Sequence, residues 1–379
     1  MRILQINASY KPAFIYGGPT MSVSMLCEQL VKKHTEVMVF TTTANGAAEL
    51  PVTLNNTVNV DGVQVTYFKR LTKDHTHFSP ALLSRLWHDV KKYNVVHIHA
   101  WWNMVSVLSC LIAVLRGVPV IVSPRGTLSP YSFSNKNRLI KMFIHQILGK
   151  PLLNKCYLHV TSQRESAAMS DLVQPKEIFN LPNFVKLADK SGVENTPGTP
   201  IKLLFFSRIE EKKGLDILLD ALAKVSVPYH LTIAGNGDAD YIAFLKKQAN
   251  KLGIDKNITW AGFYNDNKFD LLRQHDLFIL PSHDENFANT VIEGLSVGTA
   301  VLLSQNVGLY DYVQQQNLGW VCKADAAELS NSINNITNNH KDDLLRIRKD
   351  APATILHDFN PDNLVEKYLA MYNQTTTHE

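Results

Sequence analysis

Short apolar runs rich in β-branched residues recur along the chain, and the stretches between them change to a helical repeat. Residues 2–7, RILQIN, read as a buried strand, followed by a Gly17-Gly18 turn, a helical pattern from Met21 to Lys32 and a second strand in TEVMVFTT. VVHIHA and VPVIVSP are two further strands around an apolar helix, and LHVTSQ is another. The pattern restarts at IKLLFFSRI (201–209). It continues through a helix from Gly214 to Val225, HLTIAG, a helix from Ala239 to Leu252, ITWAG, LFILPS and AVLLSQ. Strands that alternate with helices pair in parallel, because each helix carries the chain back to the starting edge of the sheet. The expectation is an α/β chain of two doubly wound domains, residues 1–185 and 201–359, with the polar, Gly- and Pro-containing segment 186–200 as linker. In open sheets of this kind ligands bind beyond the carboxyl ends of the strands, so one cleft facing both domains is expected to hold the function.

A length of 379 residues, 45% of them hydrophobic, suits two cores better than one. The opening MRILQINASY holds no small-residue cleavage site and the longest apolar run, Met104 to Leu115, is too short to span a bilayer, so a cytoplasmic protein is expected. Cys27, Cys110, Cys156 and Cys322 are scattered without CxxC spacing and read as buried thiols, neither a zinc ribbon nor a disulfide framework. The net charge of +4 hides an asymmetry, since residues 1–185 hold 19 Lys/Arg against 9 Asp/Glu and the remainder 19 against 25. No acid occurs between Val90 and Arg164, where ten basic residues lie. Such a face attracts anionic lipid, nucleic acid or a phosphorylated substrate, or is simply solvated. A nucleic-acid binder would explain this basic half and leave the second half unexplained, so no nucleic-acid partner is expected.

In the second half, Arg208 follows a strand and Lys213 precedes Gly214 and the helix LDILLDAL. Two cations beside a helix amino terminus make a pyrophosphate site, although surface lysines beside a capped helix look the same. HDENFANTVIEG sets Glu285 and Glu293 eight positions apart, across a loop that turns into a helix near Asn289, with Glu293 expected on the first turn. A carboxylate accepts from vicinal hydroxyls, so Glu285 would reach a sugar and Glu293 a ribose, while acids are also ordinary in first turns. His97 and His99 alternate onto one strand face, yet no third ligand follows at useful spacing, and no obligatory metal or cofactor is expected. Asp238 to Asp240, DAD, opens a helix and reads as an amino-terminal cap, with no metal role.

SRIEEKKGLDILLDAL, AGNGD, LPSHDENFANTVIEGLSVGTAVLLS and the Gly17-Gly18 loop together resemble the retaining nucleotide-sugar glycosyltransferases of family 4, with the two-domain GT-B fold. SPRGTLSPYS, TSQRE and LPNFV resemble bacterial members that build surface polysaccharides, and FNPDNLVEKYLAMY is similar to the final helix, 360–379, that crosses back onto the first domain. The resemblance implies two Rossmann-like domains, the first for the acceptor and the second for a nucleoside-diphosphate sugar. Arg208 and Lys213 would hold the diphosphate, Glu285 would orient the sugar and Glu293 the ribose. Asn286, Phe287 and Ala288 would lie along the donor, with Gly17 and Gly18 letting backbone approach its phosphates. Gly235 and Phe263 would border the base, and His99 would stand at the reacting centre. Trp101 and Arg125 would meet a saccharide acceptor, expected to be anionic and lipid-linked. NRLIKMFIHQIL, with Lys136, Arg138 and Lys141, is expected to lie on an anionic membrane as an amphipathic helix. The chain departs from the family pattern at Ala288, where glycine is usual, and at Gly294, where alanine is usual. An epimerase of the same architecture, or a non-catalytic nucleotide-sugar sensor, is the alternative.

Overall fold

The computed structural model describes residues 1–134, 138–188, 198–264 and 267–377. They form two compact units, one made of Met1–Phe184 with Pro361–Glu379, the other of Val185–Asn360. Residues 189–197, within the segment expected as a linker, lie outside the described residues.

The first unit is built on β1 (Arg2–Ile6), β2 (Glu36–Thr42), β3 (Thr57–Val60), β4 (Val63–Phe68), β5 (Val95–His99), β6 (Val120–Ser123), β7 (Tyr157–Val160) and β8 (Ile178–Asn180). Their order across one sheet is β8-β7-β6-β5-β1-β2-β4-β3. All pairs are parallel except the β3–β4 hairpin at one edge. That hairpin was not expected: Asp61-Gly62, both with positive φ, makes the tight turn, and TVNV alternates weakly enough to pass for loop. Helix α1 (Gly18–Lys32) follows β1, and α2 (Met104–Leu115) follows β5 with Asn103 as its cap. A separate apolar core fills each face of the sheet, because a parallel strand is covered on both sides.

The second unit repeats the plan with β9 (Ile201–Phe206), β10 (Tyr229–Ala234), β11 (Ile258–Gly262), β12 (Leu277–Leu280), β13 (Ala300–Ser304) and β14 (Gly319–Cys322). Its order is β11-β10-β9-β12-β13-β14, all parallel. Helices α3 (Leu215–Leu222) and α4 (Asn289–Ser296) follow β9 and β12. Asp238 caps the helix Ala239–Lys251 by accepting from the Tyr241 N–H at 3.0 Å, which confirms its reading as a cap.

After the helix Lys341–Asp358 the chain leaves the second unit, and α5 (Pro361–Thr377) packs into the first. Leu364, Val365, Tyr368, Met371 and Tyr372 of α5 are buried in the core that holds α1. The four cysteines are free and buried. Among the described residues no helix is long and apolar enough to cross a membrane.

Both sheets reverse direction once, between β1 and β5 in the first and between β9 and β12 in the second. At such a point the connections leave on opposite faces and the two carboxyl ends part to open a crevice. Gly17 and Gly18 follow β1, His99 ends β5, Arg208 and Lys213 follow β9, and Glu285 follows β12.

Gly235 is dictated by packing. A Cβ there would stand 1.8 Å from the Ser207 carbonyl oxygen, and φ is +149°. Gly235→Ala is expected to lower stability by several kcal/mol, in the range of overpacking and backbone strain combined, about 3 kcal/mol or more. Thermal unfolding of the variant checks this. An unchanged melting temperature would show that the β9 and β10 loops do not press together here.

Candidate functional site

In the second unit the loop after β9 and the loop after β12 run side by side, tied by the His283 N–H donating to the Lys212 carbonyl at 2.9 Å. Lys212 pairs with Asp284 at 3.0 Å, and the next pair along is Lys213 with Glu285. Lys213 is buried, and Gly214 behind it takes φ +69° with the Pro281 carbonyl so close that a Cβ would lie 2.2 Å from its oxygen. Only glycine lets the chain turn there into α3. Glu285 is fixed through its backbone, its N–H donating to the Asn306 carbonyl at 3.0 Å and its own carbonyl accepting from Gly308 at 2.8 Å. Burial pushes the Glu285 carboxyl up, and the Lys213 ammonium, with Lys212 and Arg208 beyond it, more than offsets this, leaving the carboxyl below its ordinary range. It is therefore a carboxylate at neutral pH.

Arg208 lies on the same loop with 61% of its side chain exposed, held to Glu210 at 2.7 Å. An exposed pair of this kind is worth about 0–1 kcal/mol, so the guanidinium exchanges partners cheaply. Phe263, after β11, is 72% exposed, an unusual place for a large apolar ring. Phe287 is buried and packs edge-on to Phe359, so its backbone is what remains for a ligand.

Two expectations in this loop need correction or gain a cause. Helix α4 starts at Asn289, so Glu293 belongs to its second turn, not its first, and it pairs with Lys268 at 2.7 Å. Ala288 has φ +68° and ψ +73°, the left-handed region, immediately before α4. The backbone demands what glycine supplies, and alanine occupies the position under strain.

In the first unit Gly17 takes φ +64° and opens α1, Gly18 is the first residue of that helix, and Pro19 follows. His99 ends β5 and is completely buried. Its Nε2 meets the Gln5 Oε1 at 2.7 Å and its Nδ1 accepts from the Arg125 Nε at 3.2 Å. Both ring nitrogens therefore have partners within the unit, and a sugar hydroxyl at the reacting centre expected for His99 would have to displace one of them. His97, its ring 4.2 Å from that of His99, bonds Tyr372 at 2.7 Å and Ser123 at 2.6 Å, and Ser123 bonds His159 at 2.6 Å. Trp101, expected at the acceptor, is also completely buried. Trp102, set edge-on to Phe133, is the partly exposed member of the pair. Lys136 and the Arg138 side chain lie outside the described residues; Lys141 donates to the Ser132 carbonyl at 2.9 Å.

Gln5, Ser22, Lys268, Tyr368 and Tyr372 were not singled out from the sequence. Tyr372 lies 275 residues from the histidine it bonds, a separation that leaves no local signal.

The model for glycosyl transferases group 1 matches residues 188–353, and that for glycosyltransferase family 4 matches residues 16–189. An uncharacterised glycosyltransferase of Methanocaldococcus jannaschii is 25% identical over 348 residues, 85% of each chain. A phosphatidyl-myo-inositol mannosyltransferase of Mycobacterium leprae is 26% identical over 283 residues, 72% of this chain and 71% of that one. A lipopolysaccharide core biosynthesis glycosyltransferase of Rhizobium meliloti is 25% identical, over 54% of this chain and 60% of its own. Among solved structures, a sucrose-phosphate synthase of Thermosynechococcus elongatus superposes with TM-score 0.79 over 100% of both chains at 17% identity. The Anabaena protein HepE, in complex with UDP and glucose, superposes with TM-score 0.74 over 99% of this chain and 100% of that one, at 19% identity.

Ala288→Gly should raise the melting temperature, with relief of the left-handed strain worth about 1 kcal/mol against the added freedom of the unfolded chain. A lower melting temperature would contradict the strain. The buried histidines give the first unit a pH dependence. Burial lowers the pKa of His97, His99 and His159, that of His159 from 6.5 to about 3, so the folded rings stay neutral while the unfolded chain takes up protons below about 6.5. Stability should thus be full above pH 6.5 and fall progressively as pH drops toward 3. Urea midpoints at pH 7.5, 6 and 5 measure this, and a flat profile would contradict it.

Proposed function

Starting from a glycosyltransferase of the GT-B fold, we propose that the chain moves a sugar from a nucleoside diphosphate to an acceptor hydroxyl, with retention of anomeric configuration and without an obligatory metal. The observation that carries the reading is the Lys213–Glu285 pair at the β9/β12 crevice, beside an exposed and cheaply released Arg208. Such a set offers two cations to a diphosphate and one ionised carboxylate to the hydroxyls of a sugar. Lys268 would position Glu293 for the ribose, and Phe263 would border the base. In the reaction the anomeric C–O bond to the diphosphate breaks, a glycosidic bond forms on the same face, and the departing phosphate oxygen takes the acceptor proton. Arg208 and Lys213 stabilise the negative charge that grows on that oxygen, and the chain's own cations supply what a metal would otherwise give.

The glycosyltransferase relatives named for lipopolysaccharide core and for phosphatidyl-myo-inositol support an acceptor used in cell-surface glycoconjugates. Arg208→Ala and Lys213→Ala should each lower kcat by roughly 100- to 1000-fold, the usual effect of losing one donor to a developing oxyanion. A panel of UDP-, GDP- and ADP-sugars against an acceptor extract checks this by product mass, and near-normal turnover in both variants would refute the assignment. Incubation with donor alone separates transfer from epimerisation, since only an epimerase interconverts the sugar without acceptor.

A membrane-proximal acceptor has its own support. Met142, Phe143, Ile144 and Ile147 are 42%, 66%, 42% and 62% exposed along the helical stretch 138–149, within the region that lacks acids. We propose that this stretch rests on anionic headgroups, its apolar side chains entering the acyl boundary. The protein should float with anionic liposomes at low salt, and Phe143→Asp should abolish flotation. Protein that stays in the soluble fraction at low salt would refute the attachment.

A further inference from the structure

Arg125 ends the SPR run after β6 with φ +52°, a conformation that non-glycine residues adopt at a cost, and it projects into a largely buried site. Its guanidinium donates to three neutral acceptors: His99 Nδ1 at 3.2 Å, Ser22 Oγ at 2.9 Å and Asn183 Oδ1 at 3.0 Å. No carboxylate among the described residues lies within ion-pairing distance of it. Glu165, packed against the same turn, accepts from the Gly126 N–H at 2.9 Å and the Thr161 N–H at 2.9 Å, and attracts Arg125 only at longer range. A cation taken out of water without a counter-charge is costly, and the protein holds this one in place with a long buried network.

The network has one direction. Arginine only donates, so His99 Nδ1 is an acceptor and its Nε2–H must donate to Gln5 Oε1. Gln5 Nε2 then donates to Tyr372 Oη at 2.9 Å, and Tyr372 gives its single proton to His97 Nδ1. His97 Nε2–H donates to Ser123, Ser123 to His159 Nδ1, and His159 Nε2–H to the Leu181 carbonyl at 3.0 Å. The arginine fixes the direction at one end of this chain, and the Leu181 carbonyl, which can only accept, fixes it at the other. Tyr372 belongs to α5, so the last helix of the chain fixes the ring on which Arg125 rests.

We propose that Arg125 is a pre-positioned receptor for an oxyanion, a phosphate or carboxylate carried by a substrate, and that Tyr372 is a positioning residue for it through Gln5 and His99. The inference rests on the transferase reading for which substrates are relevant, and not for the binding itself. The oxyanion has two sources, the diphosphate of the donor or an acidic group on the acceptor. Ser22 on α1, a few residues after the Gly17-Gly18 turn, gives its one proton to the Pro19 carbonyl at 3.1 Å and so only accepts from Arg125, a neutral partner that an anion can replace.

Isothermal titration of the full chain tests the proposal with UDP, GDP and ADP, and with inorganic phosphate added to protein saturated with the tightest of these. Arg125→Gln should weaken one of the two anions about ten- to a hundredfold, the value of a hydrogen bond to a charged group. Loss of nucleotide affinity assigns the donor diphosphate, and loss of phosphate affinity at unchanged nucleotide affinity assigns the acceptor. Arg125→Lys should restore part of the loss, and Tyr372→Phe should show a smaller one. The melting temperature of ligand-free Arg125→Gln should be unchanged or higher, because an uncompensated charge is removed. Unchanged affinity for both anions, or a lowered melting temperature with unchanged affinities, marks a structural arginine and overturns the proposal. Arg208→Ala run in parallel reports on the second unit, so a failure there is distinguishable from a failure here.

Discussion

The structure of the second unit depends on one constraint: where a parallel sheet reverses, the loops after two adjacent strands must part, and something must hold their tips at fixed separation. Here the Lys213 ammonium and the Glu285 carboxylate do so, supported by Lys212 with Asp284 and by the His283 N–H on the Lys212 carbonyl. A partly buried pair of this kind contributes little net stability, because desolvation offsets much of the attraction, yet leaving either partner alone is expensive. The pair therefore fixes position more than it stabilises the fold. It also keeps a carboxylate ionised and a cation dry where the two loops part, as the proposed diphosphate site requires.

The first unit meets the same topological reversal with different chemistry. Its β1/β5 crevice is backed by histidines, a serine, a glutamine and two tyrosines, among which Tyr368 bonds His159 at 3.0 Å and the Pro182 carbonyl at 3.1 Å. Neutral rings in a closed series of hydrogen bonds avoid the cost of buried charge, and one arginine at the end is the exception. Because α5 supplies the tyrosines, the carboxyl-terminal helix is part of the site's foundation as well as part of the core.

Much of this was legible in the sequence because it is written locally. Strand and helix alternation, the α3 start after Gly214, the Asp238 cap and the β9 and β12 loops each depend on a few neighbouring residues, and the observed elements agree to within a few positions. The β3–β4 hairpin, β8 and β14 were not read, being short and weakly alternating. The site was legible as residue types and not as partners. Ala288 was flagged as out of pattern, but its left-handed backbone is a property of the folded loop. His99 and Trp101 look like reaching residues in a sequence and are enclosed in the structure, because residues from β1 and the loop after β6 close over them. Arg125 was read as an acceptor contact within a basic stretch, and only the fold reveals that no acid among the described residues pairs with it.

The account stands on the β9/β12 crevice receiving the diphosphate of a sugar nucleotide. A crystal structure with a bound sugar nucleotide tests it most directly: phosphate oxygens should lie within about 3 Å of the Arg208 guanidinium and the Lys213 ammonium, with Glu285 on the hydroxyls of the sugar. A diphosphate bound away from both cations, with the Lys213–Glu285 pair untouched, would contradict it.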